Sequence, residues 1–179
     1  QLLGMGKELA NGCEPFREIL DEVCQVVDQH LDVPLKSVLF AGEGSEAAEL
    51  INETQYTQPA LFAFEVALAR LWMKWGVKPD YLLGHSIGEL SAAHIAGVLD
   101  LKDAGKLVCV RGRLMQECPS EGTMASFQVG EDAVLEALGV LGVHADIAGL
   151  NGPRQTVISG DAEAVTTVMT YFGNKGIKS

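Results

Sequence analysis

The first half of the chain carries apolar residues at helical spacing. From Phe16 to His30 they recur every three or four positions, which predicts an amphipathic helix. A second segment begins at Gln58 and Pro59 and stops at Gly76, and it is apolar on most of its sides. We expect this second helix to be buried through the stripe Ala60, Leu61, Phe64, Leu68, Leu71 and Trp72.

The middle of the chain changes its pattern around one serine. The short apolar run Tyr81–Leu83 predicts a strand, and it leads directly into Gly84-His85-Ser86-Ile87-Gly88. A helix is expected from Ile87 to Ala96, because Gly97 is placed to end it. Strand, sharp turn and helix in this order are typical of an α/β layer.

The last third of the chain predicts short strands and helices in alternation. We expect strands at Met124–Val129, around His144–Ala148 and at Gln155–Ser159, and helices at Asp132–Leu138 and Ala162–Phe172. The resulting β-α-β-β-α order is that of a split βαβ, or ferredoxin-like, unit. Its last strand would start near Ile177.

Ser86 has the surroundings of a nucleophile elbow. The flanking glycines allow a strained serine backbone that exposes the hydroxyl at the end of a strand. The following helix directs its first amides at the same point, so the Ile87 N–H could donate to an oxyanion. The pattern predicts acyl transfer, with an ordinary glycine-rich turn as the alternative.

Arg111 is a second candidate, because the helix after Leu101 places it within an apolar row. The other members of this row are Ala104, Leu107, Val108, Leu114 and Met115, whereas Arg113 shares a polar face and is expected to be exposed. An inward guanidinium requires an anionic partner. Two interpretations remain open here: a structural ion pair with an acid such as Glu89, and a bidentate clamp for a substrate carboxylate.

Charge and cysteine usage exclude several functions. The 179 residues contain 13 Lys and Arg against 24 Asp and Glu, for a net charge of −11. This balance argues against a nucleic-acid or anionic-membrane partner, and no apolar run is long enough to span a bilayer. The four cysteines show no metal-site spacing, so we expect reduced thiols, no metal, no bound cofactor and a cytoplasmic location.

Several motifs in a fixed order resemble the malonyl-CoA:acyl-carrier-protein transacylase family, most closely the acyltransferase domains of modular type I polyketide synthases. Gln1-Leu2-Leu3-Gly4-Met5-Gly6 looks like the end of the family's opening motif, so the resemblance covers the whole chain. The other motifs are Gly84-His85-Ser86-Ile87-Gly88-Glu89, Arg111-Gly112-Arg113-Leu114-Met115-Gln116, Gly122-Thr123-Met124-Ala125, Asn151-Gly152-Pro153 and Val157-Ile158-Ser159-Gly160.

The resemblance implies a fold. It is an α/β-hydrolase-like large subdomain at residues 1–121 with an inserted ferredoxin-like (βαββαβ) small subdomain at 122–179, both incomplete in this chain. Family members also use an oxyanion glutamine and a catalytic histidine. By register, both are expected outside residues 1–179, so this fragment alone is expected to be inactive.

The resemblance also implies a reaction. Ser86 would take an extender acyl group from acyl-CoA and pass it to the phosphopantetheine thiol of an acyl carrier protein. Arg111 would pair with the extender's free carboxylate, Ile87 would supply a backbone oxyanion donor, and His85 and Asn151 would line the pocket. The aliphatic Ile87 leans toward malonyl-CoA as substrate. Neighbouring synthase domains such as a ketosynthase are the other expected partners.

Two alternatives stay open. A serine esterase or thioesterase of α/β-hydrolase type would need a histidine for Ser86. His94 lies roughly 12 Å along the helix from it, and His30 and His144 are expected to be solvated. A catalytically silent acyltransferase-like scaffold domain is the second alternative, and a plain Gly-Pro turn also explains Asn151.

Overall fold

The computed structural model describes residues 1–118 and 122–179. The chain divides after Cys118 into two compact units. The predicted boundary between residues 121 and 122 lies at the edge of the segment that falls outside the described residues. None of the described helices is long and apolar enough to cross a membrane.

The described part of the first unit is helical. Its helices are α1 (Lys7–Gly12), α2 (Glu14–Val27), α3 (Leu35–Leu39), α4 (Glu46–Glu49), α5 (Thr54–Lys74), α6 (Ile87–Ile95) and α7 (Leu101–Gln116). Short 3-10 turns follow α2 at Asp28–His30 and α4 at Leu50–Asn52. The helix predicted from Phe16 to His30 is confirmed as α2 with its 3-10 continuation, and the helix predicted from Ile87 is confirmed as α6.

The core of the first unit forms around α5, which packs against α2, α6 and α7. Phe16, Leu20 and Val23 of α2 are fully buried, as are Phe62, Ala63 and Val66 of α5. Each large apolar side chain removed from water in this way contributes about 1.5–3 kcal/mol to folding. The framework that carries the elbow is therefore a packed helical layer.

The predicted start of α5 at Gln58 is wrong. The helix begins at Thr54, because the Glu53 carbonyl already accepts the N–H groups of Tyr56 and Thr57 at 2.9 and 2.8 Å. This first turn is mostly polar, so an apolar pattern could not reveal it. The predicted buried stripe is only partly confirmed: Ala60 and Leu71 are buried, Leu61, Phe64 and Leu68 are half-buried, and Trp72 is 50% exposed.

The strand predicted at Tyr81–Leu83 is also not found in the described structure. No strand is assigned there, and Tyr81 and Leu83 are 96% and 99% exposed. A strand requires a neighbouring strand to exchange hydrogen bonds with, and the described residues of the first unit supply none. The prediction of a strand at these residues is therefore wrong for the described part of the chain.

The second unit has the predicted β-α-β-β-α order. Its elements are β1 (Gly122–Phe127), α8 (Glu131–Leu141), β2 (Ala145–Gly152), β3 (Gln155–Asp161) and α9 (Ala162–Asn174). The described strands form an antiparallel sheet in the order β1-β3-β2, with Met124 opposite Ser159 and Ile147 opposite Ile158.

A separate core and one terminal hydrogen bond complete the second unit. Phe127, Ile158 and Phe172 are buried between its sheet and its helices. The strand predicted near Ile177 is not assigned, although the Gln128 N–H donates to the Lys178 carbonyl at 3.3 Å.

The four cysteines differ in burial, which predicts different reactivity. Removal from water, with a smaller contribution from Asp28, raises the pKa of the Cys24 and Cys109 thiols to about 12. Both should stay protonated at pH 8 and resist 5,5′-dithiobis(2-nitrobenzoate), whereas the exposed Cys118 should react. After unfolding in urea all four thiols should react with the reagent. Rapid labelling of Cys24 in the native state, located by peptide mapping, would contradict this prediction.

Candidate active site

The backbone at Ser86 is strained in the way a nucleophile elbow requires. Ser86 has φ 53° and ψ −118°, and it is the one non-glycine residue with positive φ in the described part of the chain. A Cβ on Gly84 would lie 2.1 Å from the carbonyl carbon and oxygen of Gly88 and 2.2 Å from the Glu89 nitrogen. Only glycine fits there, so the sequence pattern and the geometry agree on a sharp turn.

The turn presents both a hydroxyl and a backbone donor. Ser86 is exposed and directly precedes α6. The Gly88 and Glu89 amides are engaged within the turn, donating to the carbonyls of His85 and Ser86 at 3.0 and 3.1 Å. Helix geometry gives the Ile87 amide no acceptor in a preceding turn, so it is suited to meet an oxyanion on Ser86.

Arg111 reaches the serine. Its Nη2 donates to Ser86 Oγ at 3.2 Å, and its Nη1 donates to Gln58 Oε1. Among the described residues no carboxylate lies within ion-pair distance of this guanidinium, so the ion pair with Glu89 that the sequence left open is not formed. A half-buried cation beside a nucleophile, without a carboxylate partner, is suited to an anionic ligand.

The buried face of α7 differs from the predicted one. Leu107, Leu114 and Met115 are 43%, 56% and 48% exposed. Ala104 and Val108 are buried as predicted, and the other buried positions are Gly105, Cys109 and Gly112. A Cβ on Gly112 would lie 3.0 Å from the Thr54 carbonyl oxygen, so small residues set the contact with α5.

The position of this face explains the two arginines of α7. Arg111 lies at the edge of the buried face, where its head reaches Ser86. Arg113 is exposed, as predicted, and its Nε lies 3.9 Å from Glu117 Oε1. The sequence therefore distinguished the two arginines correctly, although the row used to do so was only partly buried.

Gln58 is a site residue that the sequence analysis missed, because it was considered only as a helix start. Gln58 is 4% exposed, and its Nε2 donates to Thr54 Oγ1 at 2.7 Å and to Met115 Sδ at 3.3 Å. The one indication of this role in the sequence was a polar residue placed between Tyr56 and Ala60, which are both buried. Buried polar groups of this kind are held by hydrogen bonds.

The model of the acyl transferase domain family matches residues 1–179. The chain belongs to the acyl transferase domain family. The resemblance drawn from its motifs is confirmed.

Curated relatives of this acyl transferase domain are much longer proteins. It is 49% identical over 181 residues to the PKS-NRPS hybrid synthetase acdB of Aspergillus candidus, covering 100% of this chain and 7% of that protein. It is also 49% identical over 180 residues to the polyketide synthase GfsA of Streptomyces halstedii, covering 100% of this chain and 2% of that protein. The chain thus spans less than a tenth of these relatives.

Solved structures support the same fold. The acyltransferase domain from the second module of the salinomycin polyketide synthase superposes with a TM-score of 0.88 at 42% identity, covering 99% of this chain and 40% of that one. The malonyl CoA-acyl carrier protein transacylase of Coxiella burnetii superposes with a TM-score of 0.86 at 35% identity, covering 100% of this chain and 56% of that one. The mixed α/β content matches these acyltransferases.

A depression of about 330 Å³ lies behind the elbow, and His85 is among its lining residues. Ser91 Oγ donates to Glu65 Oε2 at 2.5 Å in the same depression, which ties α6 to α5. A Cβ on Gly88 would lie 3.9 Å from both Glu65 carboxylate oxygens. Glu65 and Ser91 are further residues beside the elbow that the sequence analysis missed. The role of His85 in substrate binding stays a prediction.

The remaining candidate residues have structural settings. His94 Nδ1 lies 3.0 Å from the Leu99 carbonyl oxygen, and its ring is tilted against Phe62. His30 and His144 are exposed, as predicted. Asn151 lies in β2 of the second unit, and its place in a substrate pocket stays a prediction.

The elbow geometry predicts a selective effect of one methyl group. Gly84→Ala should lower the free energy of unfolding by about 3 kcal/mol, because backbone rather than a flexible side chain occupies the Cβ position. Gly12→Ala is the matched control, since a Cβ there meets nothing within 4 Å. It should change stability by less than about 1 kcal/mol in urea titrations. Equal stability of the two variants would refute the close approach.

Proposed function

We propose that this domain transfers a carboxylated acyl unit, malonyl by preference, from CoA to the phosphopantetheine thiol of an acyl carrier protein in polyketide biosynthesis. The contact of 3.2 Å between Arg111 Nη2 and Ser86 Oγ is the observation that carries the proposal. In malonyl, a single methylene separates the reacting carbonyl from the free carboxylate. A nucleophile and a fixed cation in direct contact suit a substrate of that size.

The first half-reaction forms an acyl-serine. Ser86 Oγ attacks the thioester carbonyl, the carbon–sulfur bond breaks, and CoA leaves as the thiol. The serine proton passes through a general base to the leaving sulfur, and by resemblance this base is a histidine outside residues 1–179. The Ile87 amide stabilises the oxyanion of the intermediate, and loss of one such donor costs about 2.7–4 kcal/mol.

The second half-reaction returns the serine. The carrier's thiol gives its proton to the same base and attacks the acyl-serine carbonyl, the carbon–oxygen bond to Ser86 breaks, and the base passes that proton to the serine oxygen. Arg111 holds the free carboxylate throughout. The charge therefore selects the substrate without taking part in bond making or breaking.

We also propose the finer architecture that the motifs implied. The elbow and its helical layer suit an α/β-hydrolase-like large subdomain, and the β-α-β-β-α unit with sheet order β1-β3-β2 suits an inserted ferredoxin-like small subdomain. A multidomain synthase would supply the carrier protein and a neighbouring ketosynthase. The chain and a carrier protein of acidic character would repel each other, given the net charge of −11, so covalent tethering favours their encounter.

Acyl-enzyme formation tests the reaction. After brief incubation with equimolar malonyl-, methylmalonyl- and acetyl-CoA, intact mass spectrometry should find a malonyl adduct localised to Ser86 in the full-length protein that carries this domain. Ser86→Ala should abolish the adduct. No adduct in the full-length protein would favour the silent scaffold, and release of free acid without transfer to a carrier would favour an esterase or thioesterase.

The proposed role of Arg111 predicts a change of preference rather than a general loss. Arg111→Ala should lower the rate of malonyl loading about 10- to 100-fold, the value of a charge-assisted pair, and should leave acetyl loading nearly unchanged. Arg113→Ala is the control on the same helix, because Arg113 is exposed and near Glu117. Competition between the two CoA esters measures the preference. Equal losses for malonyl and acetyl in Arg111→Ala would refute the clamp.

A further inference from the structure

We infer that Gln58 is a positioning residue for Arg111 and thereby a determinant of selectivity for carboxylated acyl groups. The inference rests on the proposed function, because it concerns the same guanidinium. Gln58 lies on α5 and Arg111 on α7, and the Gln58 Oε1 atom accepts a hydrogen bond from Arg111 Nη1. In the described part of the chain the hydrogen-bond partners of Gln58 are Thr54, Met115 and Arg111 and do not include Ser86, so its effect passes through the arginine.

The orientation of the Gln58 amide is dictated by its partners. Its Nε2 group donates to Thr54 Oγ1 at 2.7 Å and to Met115 Sδ at 3.3 Å. A flipped amide would point N–H groups at a guanidinium, which has donors only, and would forfeit the bond to the arginine. The carbonyl oxygen therefore has to face Arg111, and the buried amide fixes where Nη1 lies.

The same helix pair is held in register at this point. Gly112 lets α7 approach α5 so closely that a Cβ there would lie 3.1 Å from the Gln55 Cα atom. One turn further along α7, the Gln116 Oε1 atom accepts the Thr54 N–H at 2.9 Å. The distance from Gln58 to Arg111 is thus set by backbone packing as well as by the side chains.

The neutrality of Gln58 matters as much as its position. A carboxylate there would hold Arg111 equally well but would neutralise the charge that the substrate has to meet. A glutamine fixes one nitrogen and leaves the positive charge unmatched by any carboxylate in the described part of the molecule. The remaining N–H groups are then available for bidentate binding of the extender's carboxylate.

Two substitutions separate position from charge. Gln58→Glu retains the acceptor and adds a competing carboxylate, so kcat/KM for malonyl-CoA should fall at least about 10-fold while that for acetyl-CoA changes less than about 2-fold. Gln58→Leu removes the anchor, so KM for malonyl-CoA should rise with a smaller change in kcat. Gln55→Leu is the matched control on the same helix, since Gln55 bonds to Glu53.

A readout without turnover keeps the inference separate from the proposed function. In nitrogen-15 NMR spectra, the Arg111 Nη groups should show restricted rotation in the wild type and in Gln55→Leu, and averaged signals in Gln58→Leu. Restricted rotation that persists in Gln58→Leu would overturn the positioning role, as would equal losses for malonyl and acetyl transfer in Gln58→Glu. A wild-type protein without transfer activity but with the expected NMR pattern would overturn the proposed function alone.

Discussion

The close approach of Gly84 to the first turn of α6 is the constraint on which the site depends. Backbone atoms of Gly88 and Glu89 occupy the space that a side chain at Gly84 would need. This crossing forces Ser86 into its positive φ, and the strain, of order 1–3 kcal/mol, is maintained by the surrounding packed helices. Without it the hydroxyl would not stand clear of the chain beside the first amide of α6.

Helix packing then places the residues proposed to select the substrate beside the nucleophile. Gly112 lets α7 lie close to α5, and the resulting frame carries Arg111 to Ser86 and Gln58 to Arg111. The cation and its neutral anchor come from α7 and α5, and the nucleophile directly precedes α6. Their relation is therefore a property of the core, in which small residues determine the distances.

Sequence reasoning succeeded where large side chains or special backbone positions determine the structure. Helix α2 follows from its apolar period, and the elbow follows from glycines around Ser86. It failed where the deciding feature was a contact between distant segments. A strand at Tyr81–Leu83 would need a pairing partner. The buried face of α7 includes glycines, which an apolar pattern does not count. The role of Gln58 follows only from its hydrogen bond with Arg111.

A crystal structure of the acylated protein tests the central claim most directly, that one short contact joins nucleophile and selector. After reaction with malonyl-CoA, continuous density should run from Ser86 Oγ to a malonyl group whose free carboxylate accepts from two nitrogens of Arg111. Gln58 should still hold Nη1 in that structure. A malonyl-serine whose carboxylate faces solvent, or an acyl group on a different residue, would contradict the account.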